Sequence, residues 1–193
     1  YIHSGLLTAA DNANQVQGVI AHELGHVAGG HALRIQDGIK QATAVSILSL
    51  VLGGLAMAAG AGEAAMGVMA AGQQAALGQF LAFTRAQETS ADLAGASYLS
   101  RAGISGKGSI EFFKKLQNQE FRLAIYATDS YDRTHPLSSE RIASLTEVYK
   151  KDPAWNRPTD PALEARFQRV RAKLIGYISQ PELVLRNYPA SDT

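Results

Sequence analysis

The segment from residue 41 to 84 constrains this chain more than any other. Its forty-four consecutive residues carry a single charge, Glu63, with thirteen alanines and seven glycines. Such a run is buried, lies on a surface, or enters a membrane. Ala44 to Gly62 is long and apolar enough to be a transmembrane candidate. Three features weigh against a full span: the Gly/Ala-heavy end, flanks without an aromatic belt, and Gln73, Gln74 and Gln79 in the following half. The expectation is a buried or surface-lying helical hairpin, with a membrane-contacting flap as the case between hairpin and span.

The remaining sequence is that of an ordinary globular chain. Its 193 residues suit one domain with a short appendage. With 46% hydrophobic and 18% charged residues it can bury a core and is not disordered. A net charge of +1 gives no general electrostatic reason to bind nucleic acid. No cysteine is present, which excludes disulfides, thiol catalysis and thiolate-bound metal. Metal chemistry must therefore use the five histidines and the carboxylates.

Tyr1 to Leu7 reads as a short strand, and few β-rich runs follow to pair with it; upstream sequence is therefore expected before Tyr1. The rest reads as helices. Asp11, Asn12 and Asn14 offer caps for a first helix that stops near Gly29-Gly30. A second long helix ends at Gly103 and carries Phe80, Leu81, Ala91, Gly95, Tyr98 and Leu99 on one stripe. Ser109 can cap a helix bearing Ile110, Phe113 and Leu116, and Ser138 one bearing Ile142, Leu145 and Val148. After a connector with Pro153 and Pro158, Asp160-Pro161 starts a last helix with Leu163, Phe167, Val170 and Leu174 on its seam.

The chemistry is concentrated in His22-Glu23-Leu24-Gly25-His26, an H-E-x-x-H pattern inside the first helix. Helical geometry puts His22 and His26 on one face, about 40° and about 6 Å apart. Two imidazoles so placed can grip one tetrahedral Zn²⁺. Glu23, turned about 100° from His22, reaches the side where a water would sit. A third ligand is needed. His31 falls one residue short of the H-x-x-G-x-x-H extension and is expected to be a helix-end or surface histidine. Glu88 is the better candidate, sharing an otherwise apolar face with Asp92 one turn later. Two carboxylates on such a face are costly unless a cation or hydrogen-bond donors receive them. Zinc bound by His22, His26 and Glu88 would satisfy one, and Asp92 could accept a ligand histidine's free N–H.

His22-Glu23-x-x-His26, a hydrophobic insert, and Arg85-x-x-Glu88-x-x-Ala91-Asp92-x-x-Gly95 together resemble the gluzincin metallopeptidases that include the CAAX prenyl protease and HtpX. Ser4-Gly5-Leu6-Leu7, His31, Thr134-His135-Pro136 and Arg141-Ile142 extend the resemblance over roughly residues 1 to 148. It is strongest to the soluble periplasmic branch of β-barrel assembly-enhancing (BepA-like) proteases. The resemblance implies an α+β, predominantly α-helical, zincin-like metallopeptidase domain with a small β-sheet beside the active-site helix. It implies a peptidase domain over 1–150 with the insert at 41–84, and a linker and C-terminal helix over 151–193 leading toward a tetratricopeptide array. It also implies zinc on His22, His26 and Glu88, Glu23 as general base, and His135 and Arg141 near the site. His135 could stabilise an oxyanion, occupy zinc's fourth position at rest, or do neither; Arg141 could support the site or bind a substrate carboxylate.

The expected activity is zinc-dependent hydrolysis of peptide bonds in misfolded envelope proteins, in the periplasm or elsewhere in the cell envelope. Expected partners are a protein or peptide substrate, a membrane surface touching 41–84 and, by resemblance, the outer-membrane assembly machinery; nucleic acid is not expected. A strand at Tyr1 to Leu7 could pair with an extended substrate. Two alternatives stand beside this reading: a latent or chaperone-like module with a blocked zinc site, and an integral membrane protease of the HtpX type.

Overall fold

The computed structural model describes residues 2–123, 135 and 138–189, with side chains outside 119–123. Tyr1, Thr134 and Pro136, on which parts of the strand and His-Pro expectations fell, lie outside the described residues. The helices are α1 (Ser4–Ala9), α2 (Ala13–Ala28), α3 (His31–Ala58), α4 (Gly62–Ala102), α5 (Lys107–Leu123), α6 (Ser139–Lys150), α7 (Pro161–Ile178) and α8 (Pro181–Asn187). Two compact units emerge, residues 1–23 with 93–193, and residues 24–92. Helices α2 and α4 each run unbroken from one unit into the other.

The expected small β-sheet is absent among the described residues, and the opening run is helix α1 from Ser4 rather than a strand. A strand needs a neighbour to satisfy its backbone, and no described segment provides one. A helix satisfies that backbone internally and turns Leu6 and Leu7 onto a core of Ala10, Val16, Val19 and Phe112.

Sequence signals explain the helix ends. The Asn12 side chain accepts from the Gln15 backbone N–H at 2.9 Å and caps α2. Gly30 at φ +62° and Gly103 at φ +65° adopt the left-handed conformation where α2 gives way to α3 and where α4 ends. Ser138 accepts from the Arg141 N–H and Asp160 from the Ala162 N–H, as expected. Ser109 does not cap α5. It is buried inside that helix, 3.3 Å from the Tyr149 hydroxyl, while Ser105 and the distant Asn14 receive the N–H groups of Lys107 and Gly108.

In the first unit a second core joins Ala21, Ala96, Leu99, Ile110, Phe113, Ile142, Leu145 and Tyr149. Tyr149 takes the core position expected for Val148, which is 41% exposed. Phe112 and Phe113, adjacent in α5, serve the two different cores. Helix α7 packs Phe167 against the first core, and Glu164 and Arg171 bond the backbones of Ala13 and Thr8. Val170, expected on its seam, faces outward.

The second unit is dominated by a hairpin of α3 and the first half of α4, turning at Gly60 with φ +83°. Gly38 faces Phe83, Gly53 faces Met69 and Gly72 faces Ser49, so small residues let the two backbones approach closely. The hairpin was expected to be buried or surface-lying. Burial is overturned: in the most apolar stretch of α3 only 11% of residues are buried. Leu81, placed on the α4 stripe, is likewise 41% exposed.

Candidate active site

Helix α2 carries both histidines of the H-E-x-x-H pattern one turn apart, and each meets its own neighbours. In the first unit the buried His22 turns Nε2 toward Nδ1 of His135, 3.4 Å away, with the rings edge-on. The other nitrogen of His135, Nε2, lies 3.7 Å from Oε1 of Glu23. His135 therefore stands between His22 and the carboxylate next to it in sequence. Phe113 meets the His22 ring at 85° with centroids 5.7 Å apart, and the Arg141 guanidinium lies 5.3 Å over that phenyl ring. Arg141 thus packs on the aromatic wall behind His22. The small residue at Gly95 lets α4 approach the backbone of Ala21 and His22.

In the second unit His26 Nε2 lies 3.2 Å from Oε1 of Glu88, which is almost wholly buried. Two ligand atoms each about 2.0–2.1 Å from a tetrahedral ion stand about 3.3 Å apart, so this spacing suits a shared zinc. The chemistry agrees, because imidazole and carboxylate are both zinc donors and a buried carboxylate needs a cation or donors. These residues fit the metal. Asp92 follows Glu88 by one turn and is also buried. Gly25 packs against the Ala91 backbone, bringing α2 and α4 together beside this pair.

His31 is the residue that sequence reasoning undervalued. It is the first residue of α3, as a helix-end histidine should be, but it is buried rather than on the surface. Its Nδ1 lies 2.9 Å from Nδ1 of His26, one ring donating and the other accepting. That contact holds the His26 ring from behind while its Nε2 faces Glu88. A side chain at Gly29 would run into the His31 ring, so the Gly29-Gly30 break both ends α2 and makes room for the contact. The available signal was a histidine immediately after a helix-stopping glycine pair.

Comparison with known proteins finds proteases among its relatives. A β-barrel assembly-enhancing protease of Escherichia coli O157:H7 is 34% identical over 148 residues, 74% of this chain and 28% of its own length. One from Yersinia pestis is 29% identical over 176 residues, 88% of this chain and 34% of its own length. Metalloprotease LoiP of Escherichia coli K12 is 30% identical over 155 residues, 78% of this chain and 55% of its own length. The chain thus spans about a third of the assembly-enhancing proteases and about half of LoiP. No solved structure gives a significant match. The sequence matches peptidase family M48 across residues 1–149, which include every residue of the H-E-x-x-H pattern and its neighbours described above. The chain therefore belongs to peptidase family M48.

Proposed function

We propose that this chain is a zinc endopeptidase in which His22, His26 and Glu88 hold the metal and Glu23 is the general base. The observation that carries the reading is the 3.2 Å approach of the buried Glu88 carboxylate to His26 Nε2. A zinc ion bound there supplies Lewis acidity toward a scissile carbonyl and toward water. Glu23 takes the proton of the attacking water and delivers it to the departing amide nitrogen. His31 fixes the ring of His26, and Asp92 accepts the free ring N–H of a ligand histidine. Arg141 stiffens the wall behind His22 through Phe113. Residues 1–150 form the peptidase domain, and 151–193 lead away from it toward a tetratricopeptide region.

The substrates are misfolded or stalled envelope proteins, and the chain works in the periplasm or elsewhere in the cell envelope. Support comes from relatives named for β-barrel assembly. The outer-membrane assembly machinery is the corresponding partner. The test is casein cleavage by zinc-loaded protein: Glu23→Gln should abolish turnover while zinc content stays at one per chain. Glu88→Ala should lose the zinc. Full turnover by Glu23→Gln, or full zinc in Glu88→Ala, overturns the reading.

One observation favours a second state of the same enzyme. His135 lies within 3.4 Å of His22 and 3.7 Å of Glu23, where it would compete with water and substrate. In this latent form His135 would hold the remaining position on a bound metal, and substrate would have to displace it. His135→Ala should then raise casein turnover; a fall would mark His135 as a transition-state donor instead.

A further inference from the structure

We infer that the α3–α4 hairpin inserts into an anionic phospholipid bilayer. The inference is independent of the peptidase reading and lies wholly within residues 24–92. It begins with the register of the two helices. Gly38 faces Phe83, Gln79 Nε2 lies 3.4 Å from Gln41 Oε1, Ser46 Oγ lies 3.5 Å from Gln73 Oε1, and Gly53 faces Met69. These pairs make an antiparallel hairpin with Arg34, Asp37, Lys40 and Arg85 at its base and Glu63 beside its turn.

Between those ends lies a span of bilayer dimensions. From Gln41 to Ala58 there are 18 helical residues, about 27 Å at the helical rise, against a hydrocarbon core of about 30 Å. No charge falls in that length of α3. Three cations against one anion at the base suit the phosphates of an anionic headgroup layer.

The distribution of exposed side chains decides what surrounds the hairpin. Ile47, Leu48, Leu50, Val51, Leu52 and Leu55 are all exposed and cover about 200° of the circumference of α3. The rest of that circumference faces α4 through Ser49 and Gly53, both buried. From Ile47 to Met57 the only polar residue is Ser49. A helix lying flat on a membrane needs a polar face toward water, and α3 offers none over this length. A protein partner or second copy docks on one face and leaves the opposite flank of the arc wet. An apolar phase on all open sides covers it completely. Between the helices small residues make the contact, as helices do in lipid where apolar side chains gain nothing by clustering, while the exposed Gln41 and Gln79 pair with each other near the base.

The test is flotation of the 193-residue chain with vesicles of phosphatidylethanolamine and phosphatidylglycerol, read as lipid-bound fraction rather than turnover. The chain should float and stay bound in high salt. Leu48→Lys combined with Leu55→Lys alters only exposed positions, 59% and 62% accessible. It should lower the floated fraction at least tenfold with helicity by circular dichroism unchanged, whereas Val170→Lys in α7 should float as before. Because the chain lacks cysteine, a polarity-sensitive fluorophore on Leu52→Cys reports depth and should be quenched by labels deep in the acyl chains. A chain left at the bottom of the gradient overturns the inference. So does a double variant that floats like the parent, quenching by shallow labels alone, or a defined lipid-free dimer whose interface covers Leu48 and Leu55.

Discussion

The two halves of α4 invert the usual relation between polarity and burial. Its second half carries Glu88 and Asp92 inside the protein, beside the buried Ala91 and ahead of Leu99. Its first half carries no charge after Glu63, yet Met66 and Leu77 are exposed. The same helix thus buries carboxylates at one end and exposes methionine and leucine at the other. The difference lies in what each half meets. Around Gly25, Ala91 and Gly95 two backbones approach closely, and Glu88 has the His26 imidazole beside it. Among the described residues the outer half packs against α3, and Met66 and Leu77 on its remaining surface are exposed.

The largest effect that tests this contrast is steric. Gly95→Leu drives a side chain into the Ala21 and His22 backbone and should cost about 3 kcal/mol, the upper range for overpacking. Urea unfolding measures it, and a variant as stable as the parent would show that the inner halves are loosely packed. Next comes the imidazole behind His26. His31→Phe should weaken zinc binding about 10–100-fold in chelator competition, the usual scale for losing a residue that orients a metal ligand. An unchanged affinity would leave His31 as packing alone. The outer half should respond in the opposite direction. Gly78 has nothing near its missing side chain, so Gly78→Ala should stabilise the helix by about 1 kcal/mol. A loss of stability there would mean that the outer half is as tightly packed as the inner.

The smallest effect is electrostatic and far from the site. A hydrogen bond from Lys115, at 2.6 Å, holds the Asp11 carboxyl below its ordinary value of 3.8, with a further charge attraction from the same ammonium. A depressed carboxylate pKa stabilises the fold at neutral pH, and the contribution is lost as pH falls below 3.8 toward the folded-state value. Because the pair is largely exposed, Lys115→Met should cost only about 0.5 kcal/mol at neutral pH. The difference from the parent should shrink in strong acid to what the Lys115 bond to the Ala9 carbonyl contributes, as urea titrations at both pH values would show.

Much of the site was legible because its residues lie on helices whose spacing can be counted. His22, Glu23 and His26 follow from a five-residue pattern, and Glu88 with Asp92 from two carboxylates on an apolar face. The caps at Asn12, Ser138 and Asp160 were equally local. Errors arose where neighbours distant in sequence decide. Asn14 reaches across to cap α5, so Ser109 sinks into the core. Tyr149 displaces Val148 because Ser109 and Gly106 offer its ring and hydroxyl a place. The Tyr1–Leu7 run has strand-like composition, but a strand exists only with a partner.

By itself the sequence determined most of the helices, several of their caps and stops, the residue types a metal site could draw on, and membership of a peptidase family, because each depends on spacing along one chain or on direct likeness. Only the tertiary structure decided that His31 backs His26, that His135 faces both His22 and Glu23, and that the apolar hairpin stands open rather than buried. Those outcomes depend on which surfaces meet across dozens of residues, and hydropathy records a residue's preference for company without specifying the company.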